Sequence, residues 1–191
     1  GGRGGAAATC GGGGSFGRPT DVTWDTQGNI YVSDGYTNSR VAKFDKDGAF
    51  IKCIGASGRG SAGNGPGQFS TPHTIASDAK GNIYVGDRGN QRIQVLDPEL
   101  NVIKTFRNVR APWGMCITPP NASGQQFIFS ADAGGKIYKL DLDGKLLGWL
   151  GSNGKKVGQF YWVHSMHCES ENVIYTGEAQ NWRIQKLTLK K

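Results

Sequence analysis

Two residues in this chain could do chemistry together: histidines at matched repeat positions. His73 lies in STPHTIA and His164 in YWVHSMH. Two imidazoles presented from equivalent positions are a metal-ligand arrangement. Two unrelated polar residues near a channel would give the same pattern, and the repeat logic leaves both readings open. His167 is three residues from His164, an odd spacing that puts it on the other face of a strand. It reads as a packed position. A second set pairs acids with bases a few residues on: Asp34 with Arg40, Asp87 with Arg92, Glu178 with Arg183, and Asp132 with Lys136. A pair present in every repeat argues for structure, because four repeats would not each carry a catalytic pair.

The elements that must hold these residues follow from a repeat. Residues 16–55, 67–106, 109–151 and 157–191 share one plan, and residues 1–15 are a glycine-rich linker ahead of them. In the first copy TDVTWD, IYVSD, SRVAKFD and AFIKCIG alternate with period two and are separated by turns rich in Gly, Asn and Asp. Four antiparallel strands every ~40 to 50 residues is the period of a β-propeller blade. The predicted fold is therefore all-β: four blades, part of a six-bladed ring. The alternative is that the four close by themselves. The last copy stops after its third strand. Thr20, His73, Trp113 and His164 then fall in one column, at the start of the strand that lines the central channel. Blade edges left open recruit partners, so self-association is expected of an open ring.

Composition narrows the function. The chain has 191 residues, 31 of them glycine, and a net charge of +7 spread without a block. A solvated surface is the reading, not a nucleic-acid site, because no cluster of aromatic and basic residues stands out. No apolar run approaches the ~20 residues of a membrane helix. The glycine-rich stretch from Gly55 to Gly67 lacks the lysine of a phosphate loop and reads as a connection between blades. The four cysteines permit two disulfides without requiring them; Cys53, Cys116 and Cys168 sit in apolar strand-like surroundings, where a buried free thiol is the ordinary outcome. Trp24, Trp149 and Trp182 read as core or inter-blade packing. Asn121-Ala-Ser123 is a glycosylation sequon in a secretory setting.

GPGQFSTPHTIASDAKGNIYVGDRGNQRIQVLD closely resembles an NHL repeat, and the other three copies fit the same pattern. RPTDVTWDTQGNIYVSDGYTNSRVAKFDKDGAF and VHSMHCESENVIYTGEAQNWRIQKLTL further resemble the peptidyl-α-hydroxyglycine α-amidating lyases and related bacterial NHL proteins. That resemblance implies a six-bladed propeller with a channel zinc on three histidines, cleaving a peptide's C-terminal hydroxyglycine to a peptide amide and glyoxylate. His73 and His164 match two of the zinc ligands, and Tyr36 matches the catalytic tyrosine. The family's first zinc histidine and its active-site arginine fall upstream of this sequence. Trp162 stands for a family methionine, Ser165 for a calcium-binding aspartate, and Thr37, Val85 and Val95 for cysteines, so calcium and those disulfides do not carry over. The resemblance implies a lyase-like protein that is incomplete as an enzyme, acts on peptide, and is exported to an extracellular or periplasmic space. The alternative is a non-catalytic NHL scaffold that binds protein, peptide or RNA.

Overall fold

A computed structural model describes residues 10, 15–58 and 61–189; the expected linker over 1–15 lies mostly outside them. Fifteen strands follow in order: β1 (Asp21–Trp24), β2 (Ile30–Asp34), β3 (Ser39–Phe44), β4 (Phe50–Ala56), β5 (Pro72–Ser77), β6 (Ile83–Asp87), β7 (Arg92–Leu96), β8 (Val102–Phe106), β9 (Gly114–Ile117), β10 (Phe127–Ala131), β11 (Ile137–Asp141), β12 (Leu146–Leu150), β13 (Val163–Ser170), β14 (Val173–Glu178) and β15 (Arg183–Thr188). They make four antiparallel sheets in chain order, β1–β4, β5–β8, β9–β12 and the three-stranded β13–β15. This is a four-blade β-propeller. Innermost strands touch in series, β1 on β5, β5 on β9 and β9 on β13. The one helical element described is a single 3-10 turn at Arg88–Asn90.

Local chemistry explains the hairpins. Asp25 accepts the backbone N–H groups of Gln27 and Asn29 on one carboxylate oxygen, and the Asn29 amide and the Tyr31 hydroxyl on the other. Asp78 does the same for Lys80, Asn82 and Tyr84. Each carboxylate ties off a turn whose glycine, Gly28 or Gly81, sits at positive φ. The tyrosine it holds then plugs the space between two blades.

Apolar side chains fill three interfaces. Tyr31 and Val41 of the first blade pack with Ile75, Val85 and Leu96 of the second. Tyr84 and Val95 pack with Met115, Ile128 and Leu140. Phe129 and Ile137 pack with Phe160, Val163 and Ile174. Each such fully buried side chain contributes roughly 1.5–3 kcal/mol.

Three expectations are corrected. The cysteines are not free thiols: Cys10 bonds Cys53, and Cys116 bonds Cys168. Cys116 and Cys168 sit on neighbouring innermost strands, close enough to bridge, which strand composition alone cannot reveal. Trp24, Trp149 and Trp182 are 54%, 56% and 92% exposed. Trp24 and Trp182 belong to the first and fourth blades, whose outer faces no described blade covers, and Trp149 lies on an outermost strand under the Lys136 ammonium. His167 is exposed and leans on Tyr175 across the β13–β14 pair.

Candidate functional site

His73 and His164 stand at the same irregularity of register. The β5–β6 pairing slips between Pro72 and Thr74, and the β13–β14 pairing between Val163 and Ser165. A bulge re-aims the extra side chain, and here both imidazoles come together, ring centroids 4.6 Å apart. Trp113, the column mate between them, lies 5.0 Å from the His73 ring and 5.9 Å from the His164 ring. Thr20 completes the column in the first blade, its hydroxyl bonded to the Ser33 and Pro72 carbonyls. The four blades thus converge on one cleft, bordered by Thr20, His73, Met115, His164 and Ser165.

His73 is 2% exposed. Its Nδ1 lies 2.7 Å from the Trp113 carbonyl oxygen, which can only accept, so Nδ1 carries the proton. Nε2 is left with a lone pair and accepts from the Tyr36 hydroxyl at 3.1 Å. Burial pushes the imidazole pKa down to about 4, aided by the positive charge of Arg88 and by His164, and opposed by the Trp113 carbonyl. His73 is therefore neutral near pH 7. A backbone carbonyl that fixes the tautomer of a neutral imidazole is the support a metal-ligating histidine receives. Tyr36, half-exposed, reaches His73 from the β2–β3 loop. Gly35 makes that reach feasible, because a Cβ there would collide with the Pro72 carbonyl oxygen.

The matched acid–base pairs stand behind this cleft. Arg40 bonds Asp34 at 3.0 Å, Arg92 bonds Asp87 at 2.7 Å and Arg183 bonds Glu178 at 2.7 Å. Each guanidinium also grips carbonyls of the segment that leads into its blade: Cys10 and Ser15, Asn64 and Gln68, and Gln159. Each acid in turn accepts a backbone N–H just beyond that segment, from Gly17, Ser70 and Tyr161. The pairs clamp the incoming chain immediately before the channel residue, and so position it. The third blade departs from the pattern. Asp132 accepts the Lys136 backbone N–H and the Tyr138 hydroxyl, while the Lys136 ammonium turns to Trp149.

Glu178 supplies a pH prediction. Burial opposes its charge, but Arg183, the Tyr161 N–H, Asn181 and Gln185 overrule burial and hold its pKa below the ordinary 4.5. A carboxyl depressed in the folded state adds stability that is complete above 4.5 and is lost as pH falls through the lowered value. Thermal unfolding of the parent and Glu178→Gln across pH 3 to 7 should show a stability gap at neutral pH that closes on the acid side. A gap independent of pH would contradict the assignment.

Two groups here escaped sequence reasoning. Arg88 follows Asp87 in the loop equivalent to the one that carries Tyr36. Its guanidinium carbon lies 4.2 Å from the Trp113 ring centroid and 5.4 Å from that of Tyr36. Among the described residues its Nη1 is buried without a hydrogen-bond partner. The signal lay in the loop alignment of DRGN with DGYT. Trp162 is the second. It adopts φ +52°, as Arg18 and Thr71 adopt +66° and +53° two residues before their own column positions. The carbonyls of these three accept N–H groups from Tyr36, Arg88 and Ala179, which folds each loop over the channel mouth. Trp162 stacks on Trp113 at 4.8 Å. The mouth is thus a cluster of aromatic rings and arginine, a combination that the scattered charge pattern did not reveal.

The fit to zinc is partial. Two imidazoles converge, but among the described residues no group of three or more His, Cys, Asp or Glu could hold a metal ion. A catalytic zinc takes three protein ligands.

Comparison with known proteins bears on the repeat and the fold. The NHL repeat family model matches residues 16–44 and 69–96. A probable peptidyl-α-hydroxyglycine α-amidating lyase of Caenorhabditis elegans is 40% identical over 188 residues, which cover 91% of this chain and 50% of that protein. NHL repeat-containing protein 3 of Mus musculus is 32% identical over 114 residues, 59% of this chain and 30% of that protein. The chain thus spans half or less of the length of these relatives. The WD40 repeats of RRP9 superpose with a TM-score of 0.68 at 14% identity over 90% of this chain and 50% of theirs, a likeness of fold alone. The chain is an NHL-repeat β-propeller whose homologues include the peptidyl-α-hydroxyglycine α-amidating lyases.

Proposed function

We propose that the channel mouth is an amidating-lyase-like site for the C-terminal end of a peptide, and that this chain alone supplies only part of the catalytic set. The observation that carries the reading is the His73–His164 pair with Tyr36 hydrogen-bonded to His73, in a homologue of such a lyase. In the reaction, the bond between the amide nitrogen and the hydroxyglycine α-carbon breaks. The hydroxyl gives up its proton as its oxygen forms the carbonyl of glyoxylate, and the departing nitrogen takes up a proton to become the peptide amide. Tyr36, in its tyrosinate form, is the residue that would take the hydroxyl proton. Arg88, with a free buried Nη1, is placed to hold the peptide carboxylate. Zinc, with a third ligand, would supply Lewis-acid polarisation of the hydroxyl. The two disulfides support an extracellular or periplasmic location. No described helix is long and apolar enough to cross a membrane. The two end faces, with Val22 and Trp24 exposed on one and Trp182 and Ile184 on the other, support self-association.

The test is zinc titration of this chain with turnover assayed in parallel. Weak zinc binding is expected, abolished in His73→Ala and tightened by millimolar free imidazole acting as the missing ligand. Glyoxylate release from a hydroxyglycine peptide is expected to be negligible. Tight zinc binding that survives His73→Ala would sink the site. The two-ligand count favours a second reading, a non-catalytic NHL scaffold. Peptide capture that ignores both zinc and the C-terminal carboxylate would select it.

A further inference from the structure

Trp162 takes the loop conformation that Arg18 and Thr71 take in their own blades, and that conformation fixes where its indole stands. A non-glycine residue at φ +52° is strained, and a bulky one more so. What the backbone secures is the position of the indole. It stacks on Trp113 and lies 6.3 Å from Tyr161, centroid to centroid. Trp113 in turn carries Arg88 on its face. Along the channel mouth the order is therefore Tyr161, Trp162, Trp113, Arg88 and Tyr36, with the His73 Nε2 beside the last. Tyr161, Trp162 and Trp113 are each partly exposed, so part of each ring faces solvent at the mouth.

We infer that Trp162 and Trp113 form a docking wall for an aromatic side chain on the residue that precedes the cleaved one, which makes this site selective for peptides with an aromatic penultimate residue. The inference rests on the peptide-terminus reading above. A carboxylate on Arg88 and a ring on Trp162 are separated by one intervening ring, the reach of a single residue. A flat apolar wall adds affinity for an aromatic ring through area and offset stacking, while an aliphatic stub such as alanine covers little of it. A nucleobase could also stack there. But the matched arginines Arg40, Arg92 and Arg183 are turned to backbone carbonyls, so they lay no phosphate track beside the rings.

The experiment is fluorescence and calorimetric titration of the full chain with N-acetyl-Phe-Gly, N-acetyl-Ala-Gly and N-acetyl-Phe-amide. N-acetyl-Phe-Gly should bind roughly tenfold tighter than N-acetyl-Ala-Gly, about 1.4 kcal/mol. Trp162→Gly, which suits the backbone conformation at that position, should erase that preference, the two glycine-extended peptides then binding alike. Trp162→Phe should keep most of the preference. Equal binding of the two glycine-extended peptides overturns the aromatic wall and leaves the peptide-terminus reading standing. N-acetyl-Phe-amide binding as tightly as N-acetyl-Phe-Gly overturns the carboxylate reading instead. No binding of any of the three overturns both, as does tighter binding of a short single-stranded oligonucleotide.

Discussion

Arg92→Ala is expected to cost about 3–5 kcal/mol of folding stability, the effect of breaking a buried ion pair by removing one partner. Arg92 and Asp87 are both buried almost completely. Truncation strands the Asp87 carboxylate and the carbonyls of Asn64, Gly65 and Gln68 together. Urea unfolding followed by circular dichroism measures the loss. Arg92→Lys should recover little, because an ammonium cannot reproduce the fork that spans these acceptors. Arg183→Ala should cost less, since its side chain is 25% exposed and water can replace part of what it binds. Zinc and peptide binding by folded Arg92→Ala should persist. A variant of unchanged stability that has lost its ligand would turn this pair from clamp to site.

The second large effect concerns the Cys116–Cys168 bond. It ties β9 to β13 across 52 residues of chain, and closing a loop of that length is worth about 4 kcal/mol in the chain-entropy account. The Cys116→Ala, Cys168→Ala double variant should lose a stability of that order. The loss should fall on the fourth blade, which is held by one interface and has one strand fewer than the others. His164 is on β13, so zinc binding should weaken with it. Hydrogen exchange would show the loss confined to β13, β14 and β15 at first. Four free thiols in the protein purified under oxidising conditions would refute the bond directly.

Much of this molecule was legible before any coordinates. The alternation in IYVSD and IYVGD, with the Asp-x-x-Gly-Asn turns ahead of them, specifies hairpins, because the turn chemistry and the period-two pattern are local. Four such units in series specify blades. The columns followed from the repeat: Thr20, His73 and His164 come together because each stands one step inside the same clamp, and Trp113 joins them from the third blade by its place at the start of the matching strand. The acid–arginine pairs were legible for the same reason.

What stayed hidden depends on contacts between blades. Arg88 is one residue off the aligned chemistry, and only the folding of its loop over Trp113 brings it to the channel. Trp162 reads only as the residue in place of a family methionine, and its packing on Trp113 at the mouth appears only in the fold. The cysteines could be read as thiols, since Cys116 and Cys168 meet only when the third and fourth blades pack. Trp24 and Trp182 look like interior residues and are exposed, because a pattern of apolar residues tells which face a strand offers but not whether a neighbour covers it. The sequence by itself determined the repeat, the hairpins and the column that carries the two histidines, all of which rest on local periodicity. The tertiary structure decided the tautomer of His73, the place of Arg88, the disulfides and the aromatic mouth, because each depends on groups from different blades meeting in space.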